Sequence, residues 1–382
     1  MKRLFLFLLI PCGVFGQALN NINYQYQYVQ ENGFDLVIRK QNLSSDSIQI
    51  FFNVEFESPR SASDYQLNFF QYEGLSDKEG KEIKPAITYF HQTEKFLSGR
   101  FTLAESNTYL VARILHFQKK QAWLYFTDCK KELINRLIPL VNDSVSLQKH
   151  ASIGSKISIY QHHSSFLVNY YKENFPAASP PYAEAQSMVS QTLNADSIFT
   201  VSSSFIANKI GLYVIQKNSS SKEFAAIRVE DDYPKFRKLT SLTAPFTYVT
   251  TKAEFNKIVL ANGDKRSFDR SILTLTGDAE RAKLFMRNYF KRVELANAFF
   301  SSYKEGWKTD RGMIFTIFGL PDAVYRTQTS EIWEYRTQGD KVSFTFVQTP
   351  TLFDPDNFVL IRKKKLESIW LEAVDLNRNA RF

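Results

Sequence analysis

The chain is 382 residues long, with 48 Lys and Arg against 39 Asp and Glu, a net charge of +9. At 44% hydrophobic and 23% charged residues it has a globular composition, which excludes a disordered or fibrous chain. About 100–200 residues per domain predicts two or three domains, and 34 Phe with 19 Tyr favour β-rich cores.

The first predicted element is an export signal. Lys2 and Arg3 supply positive charge, Leu4 to Ile10 an apolar run, and Val14-Phe15-Gly16 a cleavage site before Gln17. The run is shorter than the about 20 residues that cross a bilayer, and no later segment reaches that length without charges. No transmembrane helix is therefore expected. The alternative is a lipoprotein signal acylated on Cys12, against which stands Pro11, where a small residue is wanted. After cleavage only Cys129 remains, so no intrachain disulfide is expected and burial has to supply the stability.

Residues 17–150 alternate as a β-sandwich-like domain does. Candidate strands are 34–38, 47–52, 65–69, 100–103, 109–114 and 121–126, separated by turns such as Glu31-Asn32-Gly33 and Glu73-Gly74. A second β-rich domain, 151–250, has candidate strands at 156–160, 197–201, 210–215 and 223–229. Between two of them Pro176-Ala177-Ala178-Ser179-Pro180-Pro181 reads as an exposed loop. The boundary near 150 is soft, and one larger sheet assembly would read much the same.

From 251 to 382 the pattern becomes α+β. Residues 252–260 read as a helix, and Asp278 as the N-cap of a long one reaching about Tyr303. Ala282, Phe285, Tyr289, Val293, Ala296, Phe300 and Tyr303 recur every three or four residues, as a core stripe does. Strands are expected at 313–318, 331–336, 341–347 and 358–364, with a short helix near 367–376. The predicted class is thus multidomain and β-rich: sandwich-like regions, then a two-layer α+β domain with an antiparallel meander and a long helix. No repeat of 20–50 residues marks a solenoid or propeller.

Gly306-Trp307-Lys308-Thr309-Asp310 resembles the motif of the GWxTD-domain family of exported bacterial proteins, common in Bacteroidetes. Arg311-Gly312-Met313-Ile314-Phe315, the turn Gly319-Leu320-Pro321-Asp322 and the strand Ile332-Trp333-Glu334-Tyr335 follow in that family's order. The resemblance covers about residues 250–382 and implies no activity. The Gly-x-Pro turn before a Trp-x-Tyr strand is also similar to accessory lipoproteins of the outer-membrane β-barrel assembly machine, a likeness of fold that slightly favours an envelope adaptor.

Asp310 and Asp322 would flank one strand, roughly 20 Å apart, too far to work on one substrate atom. Asp310 is expected to be a turn residue accepting backbone N–H bonds beside Arg311 or another cation, supported by Thr309. Five histidines (His91, His116, His150, His162 and His163) form no metal-binding spacing, and no Gly-x-Ser-x-Gly or phosphate-binding motif occurs. No metal, cofactor or nucleic acid is expected, and Cys129 reads as a buried inert thiol.

These readings leave a non-catalytic envelope protein, working as a scaffold or accessory subunit on the periplasmic side of the outer membrane. Glycan or peptidoglycan binding is the alternative: in an extended segment Tyr24, Tyr26 and Tyr28 share a face on which sugars can stack, though the same spacing also suits a strand packed on a sandwich. Asp310 and Arg311 would be the first residues to test in an enzyme. The basic run Arg362-Lys363-Lys364-Lys365 reads either as a guarded sheet edge or as a contact for anionic membrane. In the motif Trp307 is expected to bury where helix meets sheet. Gly312 and Gly319 would permit tight backbone, Pro321 would fix a turn, and Trp333 and Tyr335 would share a strand face.

Overall fold

The computed structural model describes residues 16–44, 46–57, 60–132, 135–161, 165–172, 175–184, 194–261, 263–337 and 340–381. The expected export signal, the lipidation alternative at Cys12 and the pair His162 and His163 lie outside the described residues. The chain divides into two compact units: Met1–Arg136 with Ala323–Thr329, and Leu137–Asp322 with Ser330–Phe382.

The first unit is a sandwich of two antiparallel four-stranded sheets. Its strands are β1 (Phe34–Asn42), β2 (Ser47–Phe56), β3 (Tyr65–Tyr72), β4 (Lys81–Ile83), β5 (Thr88–Gln92), β6 (Phe96–Ala104), β7 (Tyr109–His116) and β8 (Gln121–Asp128). They run in the orders β1-β2-β6-β5 and β4-β3-β7-β8. Alternation puts Ile48, Ile50, Phe52, Val54 and Phe56 of β2 on the inner face, against Tyr65, Phe69, Leu110, Ala112, Ile114 and Trp123 of the other sheet. Aromatic edges lock the layers, with Phe52 5.7 Å from Phe69 and Phe34 5.1 Å from Trp123. Buried Lys40 is paired with Asp128 and donates to the Lys130 carbonyl, tying β1 to the end of β8. Cys129 lies fully inside this core, where burial pushes its thiol pKa up.

The second unit begins with further sheets. One runs in the order Ser144–Val145, Pro139–Val141, Lys156–Ile159, Ser204–Ile206. Another includes His150–Ser152, Glu223–Glu230, Gly211–Gln216, Phe166–Tyr171 and Ser197–Val201 in that order. Ile157, Ile159, Phe166, Val168, Tyr213, Ile215, Ile227 and Val229 close one core between them. Phe166–Tyr171, a central strand, escaped the sequence reading because it is buried almost throughout and shows no alternation.

Among the described residues six α-helices follow or interleave: α1 (Leu239–Thr243), α2 (Lys252–Leu260), α3 (Lys265–Thr276), α4 (Ala279–Phe300), α5 (Asp310–Phe318) and α6 (Glu367–Arg378). Asp278 caps α4 through the Arg281 N–H, and the expected stripe of α4 is buried at Phe285, Tyr289, Val293, Ala296 and Phe300. The helix stops at Phe300 rather than Tyr303. An antiparallel meander, Ser330–Thr337, Asp340–Gln348 and Phe358–Leu360, pairs Trp333 with Phe344 and Phe346 with Leu360. Phe300 and Phe315 cover Trp333 from α4 and α5, at 5.5 and 6.4 Å.

Two expectations are corrected here. Residues 313–318 are not a strand but the body of α5: Thr309 caps it, Gly319 ends it, and Met313 to Ile317 are all buried. The predicted strand at 358–364 stops at Leu360, and Lys364–Leu366 form a 3-10 turn leading into α6.

His150, in the second unit, packs its ring against Tyr233 at 4.9 Å, and burial pushes its pKa down to about 4. The unfolded chain takes up this proton near pH 6.5 and the native state only near 4, so stability falls as pH drops through that window. We predict that His150→Gln removes about 2 kcal/mol of the stability loss between pH 7 and pH 4.5, measured by urea unfolding at both values.

Candidate functional site

The GWxTD stretch sits where two helices and the strap 175–184 converge. Gly306–Lys308 make a 3-10 turn, and Thr309 follows in extended conformation as the N-cap of α5. The Thr309 hydroxyl accepts the Gly312 N–H at 3.0 Å and donates to the Gly306 carbonyl at 2.7 Å, which closes the turn onto the helix. Both glycines are demanded by proximity. A Cβ on Gly306 would stand 2.1 Å from the Ala296 carbonyl oxygen of α4, and one on Gly312 would stand 1.8 Å from the Gly306 carbonyl oxygen.

Trp307 is buried, with its ring 5.7 Å from Tyr248. Its backbone N–H donates to the Asn297 side-chain oxygen at 3.1 Å, and its carbonyl accepts the Tyr248 hydroxyl at 3.2 Å. Asn297, fully buried on α4, passes the connection on by donating to the Pro234 carbonyl at 2.8 Å. Tyr233 donates to the Asn297 carbonyl and accepts the Gly306 N–H at 3.1 Å.

Asp310 opens α5 but turns its carboxylate toward the meander. It accepts the Leu360 N–H at 2.9 Å and the Arg362 guanidinium at 2.5 Å, and the two side chains are 10% and 16% exposed. Arg362 also donates to the Ser179 carbonyl of the strap at 3.0 Å. Arg311 points elsewhere, 3.6 Å from the buried Glu331 carboxylate and stacked over Phe358 and Phe300 at 4.3 and 5.3 Å. Glu331 in turn accepts the Trp333 indole N–H at 2.5 Å.

The segment 176–181, expected as an exposed loop, is in fact this strap. Ala178 donates its N–H to the Lys308 carbonyl at 2.9 Å, and Lys363 donates its N–H to the Pro181 carbonyl at 2.9 Å. Lys304, whose ammonium burial pulls down to about 8, donates to the Pro176 carbonyl at 3.1 Å. Farther along, Gly319 has φ +78° and its carbonyl accepts the Tyr335 hydroxyl at 2.9 Å. Pro321 is buried beside it, and Asp322 accepts the Arg336 N–H at 2.7 Å. Asp310 and Asp322 thus flank a helix rather than a strand and serve different partners.

The three tyrosines need a larger correction. Gln25–Tyr28 is a 3-10 turn, not an extended segment, and Tyr24 and Tyr28 are buried while Tyr26 is part-buried. Tyr26 donates to the Leu124 carbonyl at 2.6 Å, Tyr24 donates to the Leu19 carbonyl at 2.8 Å, and Tyr28 accepts from Arg326 at 3.0 Å. Burial holds the Tyr24 and Tyr26 phenols far above their usual pKa. They are core anchors of the first unit, with no open aromatic face. The basic run is also divided: Arg362 is bound to Asp310, and Lys364 pairs with Glu367 at 2.9 Å.

Sequence reading missed Asn297, Tyr233, Tyr248 and the partner role of Arg362. Glu331 alone carried a signal, since it sits two residues before Trp333 on the same strand face. Among the described residues no group of three or more His, Cys, Asp or Glu could hold a metal ion.

Residues 211–379 match the family model of the GWxTD domain. The match begins at the strand Gly211–Gln216, upstream of the region where the sequence resemblance was recognised. No curated protein matches the chain. Among solved structures it is similar to the mouse nectin-like molecule 4 ectodomain (11% identity, 54% of this chain and 66% of that one, TM-score 0.17). It is also similar to HBP35 of Porphyromonas gingivalis (9%, 52% and 63%, TM-score 0.16) and to red sea bream transglutaminase (11%, 51% and 31%, TM-score 0.17). The chain spans less than two thirds of each of these structures, and at such scores nothing functional follows from them.

The packing at the motif makes two substitutions diagnostic. We predict that Gly306→Ala destabilises the protein by about 1–3 kcal/mol, since the α4 backbone has to move, and Trp307→Ala by about 3–5 kcal/mol. Urea unfolding checks both; parental midpoints would show that the turn does not carry the packing.

Proposed function

We propose that the protein is a non-catalytic component of the cell envelope, exported to the periplasmic side of the outer membrane, where it serves as a scaffold or accessory subunit. The observation that carries this reading is the use made of the motif's polar groups. Thr309, Asp310 and Arg311 each spend their side chains on bonds inside the fold, to Gly306 and Gly312, to Leu360 and Arg362, and to Glu331. Groups so engaged hold a platform in shape and are not held ready for a substrate.

Two sheet edges are open to a docking partner. β5 ends one sheet of the first unit with most of its side chains exposed, and Ser197–Val201 ends a sheet of the second with Ile198 61% exposed. Terminal strands of this kind accept a partner's strand or rim. The export signal read at residues 2–16 supports the compartment. The glycan alternative loses its motive, because the tyrosines it relied on face inward.

Chemical crosslinking in intact cells followed by size analysis of the solubilised envelope tests the proposal. We predict that the chain fractionates with the envelope and crosslinks into an assembly larger than itself. Recovery as a free monomer in the soluble fraction would overturn it, as would an Asp310→Asn variant that keeps its fold and abundance but loses the cellular phenotype.

A further inference from the structure

We propose that the exposed faces of α2, α3 and α4 form a docking surface for an anionic lipid bilayer. Residues 252–291 hold nine Lys or Arg against five Asp or Glu. Four of the acids are spent locally. Glu254 caps α2 and pairs with Arg378, Asp264 and Asp278 cap α3 and α4, and Asp269 pairs with Lys265. Lys252, Lys257, Arg266, Arg270, Lys283 and Arg287 are exposed and join no ion pair among the described residues.

Beside these cations stand leucines that the fold leaves uncovered. Leu260 is 83% exposed, Leu273 42% and Leu284 38%. The spacing repeats from helix to helix: Lys257 and Leu260, Arg270 and Leu273, and Leu284 and Arg287 are each three residues apart, one turn along an exposed face. α2 packs on α3 and α3 on α4, so the three faces belong to consecutive, touching helices.

A bilayer fits this chemistry better than a protein partner does. Long basic side chains reach headgroup phosphates while short apolar ones enter the acyl boundary. Protein interfaces concentrate aromatic residues at a dry centre, and the large exposed hydrophobics on these helices are Val259, Leu260, Leu273 and Leu284, none of them aromatic. The surface also differs from the basic run at the C-terminal end, where Arg362 and Lys364 already have acidic partners.

This inference rests on the envelope reading but fails separately from it, because vesicle binding and assembly in cells are independent measurements. The test is co-sedimentation of the full chain with phosphatidylcholine vesicles containing phosphatidylglycerol, against vesicles of phosphatidylcholine alone. Binding to the anionic vesicles is expected to weaken with added salt, and about fivefold for each cation removed in Arg266→Gln and Arg270→Gln. A Leu260→Ser, Leu273→Ser double variant is expected to bind several-fold more weakly at unchanged thermal stability, and a Lys363→Gln, Lys365→Gln variant as the parent does. Equal binding to neutral vesicles, parental binding by the helix variants, or loss in the Lys363 and Lys365 variant would overturn the proposal. So would crosslinking of these helices to an acidic protein without vesicle binding.

Discussion

Two backbones approach at the GWxTD turn more closely than any side chain allows. Gly306 lies against the Ala296 carbonyl of α4, and Gly312 against the carbonyl of Gly306 itself. Much of the C-terminal architecture follows from that contact. It brings Trp307 within reach of Asn297, sets Thr309 to cap α5, and points Asp310 at the end of the meander. The motif is a joint, and its letters are the ones a joint of this closeness requires: glycine for room, tryptophan for burial, threonine and aspartate for capping and charge.

Charge is handled in the same economical way. Asp310 with Arg362 and Glu331 with Arg311 bury carboxylates that would be costly alone, and further hydrogen bonds from Leu360 N–H and Trp333 Nε1 complete their shells. Arg362 reaches the strap at Ser179, which lies outside the matched family region, so the domain recruits a neighbouring stretch to finish its own polar network. On the exposed faces of α2 to α4, by contrast, Lys252, Lys257, Arg266, Arg270, Lys283 and Arg287 join no ion pair among the described residues. That contrast separates the interior use of charge from a surface use.

Much of this was legible in the sequence. Strands such as β2 announce themselves by alternation, and α4 by its apolar spacing and its Asp278 cap. The misreadings have physical reasons. α5 is buried on all sides, so its apolar run carries no helical period, and only the cap at Thr309 and the glycine at Gly319 distinguished it from a covered strand. Tyr24, Tyr26 and Tyr28 alternate as a strand does, but long-range bonds to Leu124, Val324 and Arg326 settle them into a 3-10 turn. The proline-rich strap looked exposed because its docking is through backbone groups, which no residue type advertises. Asn297 and Arg362 gave no signal for the same reason: their importance lies in distant partners.

The joint's central electrostatic contact can be measured directly. A double-mutant cycle on Asp310 and Arg362, with Asp310→Asn, Arg362→Met and the pair, reads their coupling from urea unfolding. If the motif is structural, each single variant loses about 3–5 kcal/mol and the coupling falls at about 1–3 kcal/mol. Additive losses near zero, with full stability in all three variants, would mean that aspartate and arginine are kept for something other than holding the fold.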